Sequence, residues 1–211
     1  MARYKDAVCR LCRREGAKLF LKSQRCYTPK CGIEKRPYPP GQAGESGARK
    51  RRPGDYALQL REKQKLRSIY GMLEKPFRQY VRTAERMPGV SGSILLQLLE
   101  RRLDNVCFRA SFAGGRVEAR QLVAHGHVTV NGRKVDVPSY RVRVGDVIKV
   151  ADASKNNPSV VIAVSLAGGR TTSAWMTIDI EARTATIASI PQRSEIDTDV
   201  NETQVMEFYS R

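Results

Sequence analysis

One stretch of the chain changes its hydrophobic period part-way, and that change limits the folds open to it. From Ser93, Leu95, Leu96, Leu98, Leu99 and Leu103 recur at helical spacing, with Glu100, Arg101 and Arg102 between them. Ser91 or Ser93 supplies an N-cap. A second helix is predicted from Val117 to Ala124, stopped near Gly126. The period then falls to two. His127 to Val130 runs into Asn131-Gly132, a strong hairpin signal, and Arg133-Lys134-Val135 runs out of it. Pro138 ends that arm, Tyr140 to Val144 alternates, Gly145-Asp146 turns, and Val147 to Val150 follows. The fold class implied is α+β, with helices packed on a mainly antiparallel sheet.

The charges follow the same stretch. Arg101, Arg109, Arg116, Arg120, Arg133, Lys134, Arg141 and Arg143 are spread over helix, turn and strand. Val142 and Val144 alternate with Arg141 and Arg143, which predicts one apolar and one cationic sheet face. Guanidinium groups suit a phosphate backbone because they bond to phosphate in pairs. A single basic strand is as readily a solvated surface. A complete module ringed by cations favours nucleic acid. Gln121, His125, His127, Asn131 and Tyr140 join these residues as candidate RNA contacts. The two histidines flank Gly126 and are poorly placed to share a metal, so they read as contacts or capping groups.

A formal charge of +17 over 211 residues points to a polyanionic partner. Residues 1–67 hold 19 Lys and Arg against 6 Asp and Glu, residues 68–150 hold 14 against 7, and residues 151–211 hold 5 against 8. The first two-thirds should therefore face the polyanion and the last third elsewhere. No apolar run approaches the roughly 20 residues that span a bilayer, and no signal-peptide pattern opens the chain, so a cytosolic location without membrane contact is expected.

Four cysteines, Cys9, Cys12, Cys26 and Cys31, form two close pairs separated by a loop. That spacing fits a closed tetrahedral thiolate site, with zinc the favoured metal. The stretch is too basic and too poor in apolar residues to fold by burial alone. Disulfides, an iron–sulfur cluster or free thiols are the competing readings. Arg10, Arg13, Arg14, Lys18, Lys22 and Arg25 are expected to offset the thiolate charge and lower the thiol pKa values. Arg13, Arg14 and Lys22 are also candidate RNA contacts. Cys107 reads as a buried structural thiol.

Pro37, Pro39, Pro40 and Gly41 break regular structure. The run Arg49-Lys50-Arg51-Arg52 follows in a flexible setting and reads as an arm ordered by RNA. Asp55 is expected to cap a helix whose basic face includes Arg61, Lys63, Lys65 and Arg67, of which Arg61, Lys63 and Arg67 are candidate RNA contacts. A further helix is predicted from Pro76 to Arg86. In the tail, Val160 to Val164 fits helix or strand, and Trp175 to Asp179 and Thr184 to Ala188 read as two strands. Glu195, Asp197, Asp199, Glu202 and Glu207 fit either a surface turned towards protein or a solvated segment. No phosphate-binding glycine loop, nucleophile elbow or paired-carboxylate motif is present, so no enzyme is expected.

LERRLDNVCFR, ARQLVAHGHVTVNGRKVDVPSY and VRVGDVIKV resemble the RNA-binding module of the small-subunit ribosomal protein S-four family. LREKQKLRSIYGMLEKPFRQYVRTAERMPG is similar to that family's helical domain, with Pro76 where the family usually has Gln, and MEFYSR resembles its C-terminus. Some members carry the cysteine quartet. The resemblance implies an N-terminal zinc-binding segment over 1–45 and a helical domain over 46–92, completed by 195–211. It also implies an RNA-binding domain over 93–194, whose module spans about 99–162. It further implies direct binding to the 5′ domain of 16S ribosomal RNA, early assembly, and a contribution to translational accuracy. Expected neighbours are ribosomal protein S-five, ribosomal protein S-three and messenger RNA. The chain would be a monomer within the subunit, in a cytoplasmic or organellar ribosome.

Overall fold

The computed structural model describes residues 4–45, 53–165 and 173–210. The basic run Arg49 to Arg52 lies outside them. Two compact units divide the chain: Met1–Gly92 with Asp199–Arg211, and Ser93–Thr198. The second is thus inserted, in chain order, within the first.

The first unit is helical. α1 (Cys9–Glu15) ends on Gly16, whose φ of 69° is left-handed and stops the helix without side-chain strain. Two four-residue helices follow, α2 (Gly32–Lys35) and α3 (Gln42–Glu45). α4 (Asp55–Ile69) buries Leu66 and Ile69, and α5 (Glu74–Arg86) buries Phe77, Val81 and Ala84 at helical spacing. Asp55 does not cap α4. Gly54 holds the N-cap position and Asp55 stands in the first turn, where its charge suits the helix dipole. α5 begins at Glu74 rather than Pro76. Pro76 is the third residue, where a missing N–H costs nothing because the first four have no intrahelical acceptor. α10 (Glu202–Tyr209) packs against α4. Its N-cap Asn201 accepts a 3.2 Å bond from the Gln204 amide.

In the second unit, the leucines predicted as one helix form two. α6 (Ser91–Glu100) starts at Ser91 itself and ends before Arg101, and α7 (Leu103–Arg109) takes Leu103. α8 (Arg116–Ala124) follows. The sheet is antiparallel, with strand order β2-β1-β3-β5-β4. Its strands are β1 (Val128–Val130), β2 (Arg133–Lys134), β3 (Val147–Val150), β4 (Met176–Asp179) and β5 (Thr184–Ile187). Asn131 and Gly132 have φ of 50° and 78°, the doubly left-handed turn that an Asn-Gly hairpin demands. Val130 pairs with Ile148, and Ile148 with Ala185. Alternate positions thereby enter a core shared with Leu103, Val106, Cys107, Phe112, Val123 and Trp175. Each fully buried aliphatic side chain contributes about 1.5–3 kcal/mol. α9 (Pro158–Ser165) resolves the helix-or-strand choice at Val160.

The stretch Tyr140 to Val144 does not join the sheet. Its backbone bonds to the α6–α7 junction instead: Leu103 N–H donates to the Tyr140 carbonyl, and Val142 N–H to that of Arg101. Val142 is buried but Val144 is 52 % exposed, so the predicted apolar face stops at Val142.

Candidate nucleic-acid interface

The arginines of the second unit divide into two populations. One is internal. Glu100 is fully buried at the end of α6 and accepts bonds from Arg109 Nε at 3.0 Å and Nη2 at 2.9 Å. Arg109 also reaches Asp197 at 2.6 Å. Asp104 accepts Arg102 at 3.0 and 2.6 Å and Arg120 at 2.9 Å. Asn105 bridges the two groups: its amide donates to Glu100, and its Oδ1 accepts Arg116 Nε at 2.9 Å. Arg116 also lies over the Phe108 ring. Arg109, Arg116 and Arg120, expected at the RNA, are thus engaged first in tying α6, α7 and α8 together.

The other population faces outward. Arg133 and Lys134 are exposed on β2, and Arg141 and Arg143 are exposed beyond Pro138. Arg101 joins them. Its Nε donates to the Val142 carbonyl at 2.9 Å, which fixes the side chain. Burial, then the like charges of Arg141 and Arg143, hold its guanidinium below the usual arginine value. Asp146 opposes that shift in part, and the exposed Arg141 and Arg143 are free to meet an anion. Arg101 stands among the module's cations in the sequence, and the end of α6 at Glu100 leaves it half-buried against Val142.

Gln121, His125 and Tyr140 are exposed. His127 Nδ1 lies 2.8 Å from Ser154 Oγ. Asn131 serves the turn, donating to Asp146 at 2.9 Å and accepting from the Val147 amide at 2.9 Å.

In the first unit, Arg14 and Lys22 are exposed. Arg13 donates to the Tyr38 carbonyl at 2.9 Å and stacks on the Tyr38 ring. Arg61 pairs with Glu15 at 3.2 Å, and Lys63 is buried against Glu74 at 2.9 Å. Arg67 lies 3.5 Å from Glu74.

Cys12, Cys26 and Cys31 are buried, Cys9 is half-buried, and all four thiols are free. Gly32 makes room for Cys9: a Cβ there would meet the Cys9 Cβ at 2.9 Å and Sγ at 3.1 Å. The Lys22 amide donates to Cys26 Sγ at 3.3 Å. The chemistry of this donor set suits a thiophilic divalent ion. Among the described residues, however, no three His, Cys, Asp or Glu side chains stand as a group that could hold a metal ion. Burial pushes Cys12 and Cys26 up, and amide donors to sulfur only partly oppose it. Burial likewise raises Cys107, an inert core thiol.

The tail acids also have internal work. Asp199 pairs with Lys65 at 3.2 Å, and Glu207 accepts from Gln59 at 2.9 Å. Asp197 takes Arg109, and Glu195 closes a capping box with Gln192. Asp197, Asp199 and Glu207 nonetheless remain exposed. No helix among the described residues is long and apolar enough to cross a membrane.

Exposed cations on a hairpin strand and the segment after Pro138, borne by helices packed with a small antiparallel sheet, define a class, the proteins that dock on a phosphate backbone. Residues 3–100 match the profile of the ribosomal protein S4/S9 N-terminal domain, and residues 101–148 that of the S4 domain. Small ribosomal subunit protein uS4 of Thermus thermophilus is 54 % identical over the whole of both chains. Those of Pelotomaculum thermopropionicum and Desulfitobacterium hafniense are 54 % and 55 % identical over the same span. The chain belongs to the family of small ribosomal subunit protein uS4.

Proposed function

We propose that this chain works as an architectural clamp on 16S ribosomal RNA. It is a structural, RNA-binding component of the small ribosomal subunit and not an enzyme. The observation that carries the clamp is the exposure of Arg133, Lys134, Arg141 and Arg143 on the hairpin strand and the segment after Pro138, cations that phosphate can meet. Contacts of this kind fix the directions of RNA helices without reading bases, because the deep groove of A-form RNA is closed to side chains.

The same reading extends to particulars. The 5′ domain is the target, binding comes early in assembly, and the subunit gains accuracy from it. Ribosomal proteins S-five and S-three and incoming messenger RNA are the neighbours, in a cytoplasmic ribosome. The cysteine quartet holds one structural zinc ion. The spacing of the four cysteines, the burial of three of them and the Lys22 amide donated to Cys26 sulfur support that reading.

Chemical footprinting of 16S ribosomal RNA with and without the protein tests the clamp. Protections clustered in the 5′ domain, at junctions of helices, are expected. Equal affinity for structured ribosomal RNA and for a random duplex of the same length, at moderate ionic strength, would end it.

A further inference from the structure

A cleft of about 500 Å³ opens in the first unit between α4, α5 and α10, lined by Lys63, Gln64, Arg67, Arg78, Phe208 and Tyr209. Its size falls in the ordinary range for small-ligand sites, about 300–1,000 Å³. Three of its side chains are cations. Glu74 is the carboxylate among the lining residues, and both its oxygens are taken: Oε1 accepts the Tyr209 hydroxyl at 2.6 Å, and Oε2 accepts Lys63 at 2.9 Å. Glu74 also lies 3.5 Å from Arg67, so one carboxylate stands against three cations and the cleft keeps an excess of positive charge.

Two polar atoms of the lining lack partners. Arg67 Nε and Gln64 Oε1 are shielded from solvent without a hydrogen bond. Leaving such a group unmet is costly, and a missing ligand is a recognised reason for it. Arg78 is exposed and makes no ion pair among the described residues. The remaining wall is aromatic. Phe208 and Tyr209 stand edge to face at 5.4 Å, and Lys63 Nζ lies 4.6 Å from the Phe208 ring centre.

Cations beside aromatic rings suit a nucleotide, which carries both a phosphate and a flat base. An acidic peptide would use the cations and leave the rings unused. We infer that this cleft seats one unstacked nucleotide of the bound RNA. Arg67 and Arg78 take its phosphate, Phe208 and Tyr209 its base, and Gln64 a hydroxyl or amino hydrogen. The inference rests on the ribosomal-RNA reading above.

Ultraviolet crosslinking of the full chain to a 16S 5′-domain transcript, with mass spectrometry of the peptides, tests it. A nucleotide adduct is expected on the segment from Glu202 to Tyr209. Phe208→Leu should remove the adduct and weaken binding about tenfold, the scale of one base–aromatic stack. Arg78→Gln, at an exposed position without a structural pair, should leave the melting temperature unchanged. It should also expose one unpaired nucleotide to 2′-hydroxyl acylation. Adducts confined to other segments would overturn the inference while leaving the RNA reading intact, provided the variants bind like wild type. So would protection of the cleft by an acidic peptide rather than by RNA. Failure of the wild-type chain to prefer ribosomal RNA would instead remove the reading beneath it.

Discussion

Arg109 closes on Glu100, a carboxylate with no solvent exposure, through two bonds of 2.9 and 3.0 Å. The pair joins the end of α6 to the end of α7. Taking either partner away strands the other in the interior. Arg109→Ala is expected to cost about 3–5 kcal/mol. Thermal unfolding checks this, and a variant that melts with wild type would show that Glu100 finds other partners.

The outward arginines carry the salt dependence. Arg133→Ala, Arg141→Ala and Arg143→Ala should each weaken RNA binding and flatten the log–log salt slope by about 0.9 or less. Arg120→Ala should chiefly lower the melting temperature, because its partner is the buried Asp104. Filter binding across a salt series separates the two. Equal slope changes in Arg120→Ala and Arg141→Ala would erase the division.

Acid should weaken the first unit through Glu74. Burial opposes ionisation there, but the bonds from Tyr209 and Lys63, with the charges of Lys63 and Arg67, hold its pKa below the ordinary 4.5. A depressed folded-state pKa gives stability that is fully present above 4.5 and is lost as pH falls through the folded value. Glu74→Gln should therefore be less stable at neutral pH and show a shallower acid limb. Denaturant melts from pH 7 to pH 3 read this out, and parallel acid limbs would place the titration elsewhere.

Metal analysis of the reduced chain should find about one zinc, lost in Cys26→Ser. Gly32→Ala should weaken retention, because the added methyl meets Cys9 at 2.9 Å. Stoichiometric iron with visible absorption would replace zinc. Unchanged protease resistance after chelation would remove the structural role.

Much of the fold was legible beforehand. Periodicity gave α4, α8 and the strands of the β1–β2 hairpin, since burial of one face is a local pattern. Asn131-Gly132 marked the turn because only such residues take paired left-handed angles cheaply. The break between α6 and α7 was not legible. Leucine spacing runs straight through it, and the backbone bonds that end α6 come from Tyr140 and Val142, some forty positions on.

The sequence by itself determined the partner class, because net charge and its fading along the chain are properties of composition. It also determined where the period changes, since that is written in neighbouring residues. Only the tertiary structure decided which arginines face outward. Guanidinium groups look alike in sequence. What separates Arg109 from Arg141 is whether folding brings a buried carboxylate within 3 Å, as it does for Arg109 at Glu100. The tail acids obey the same rule. Their charge was visible, but their partners on α4 and α7 were chosen by packing between segments distant in sequence.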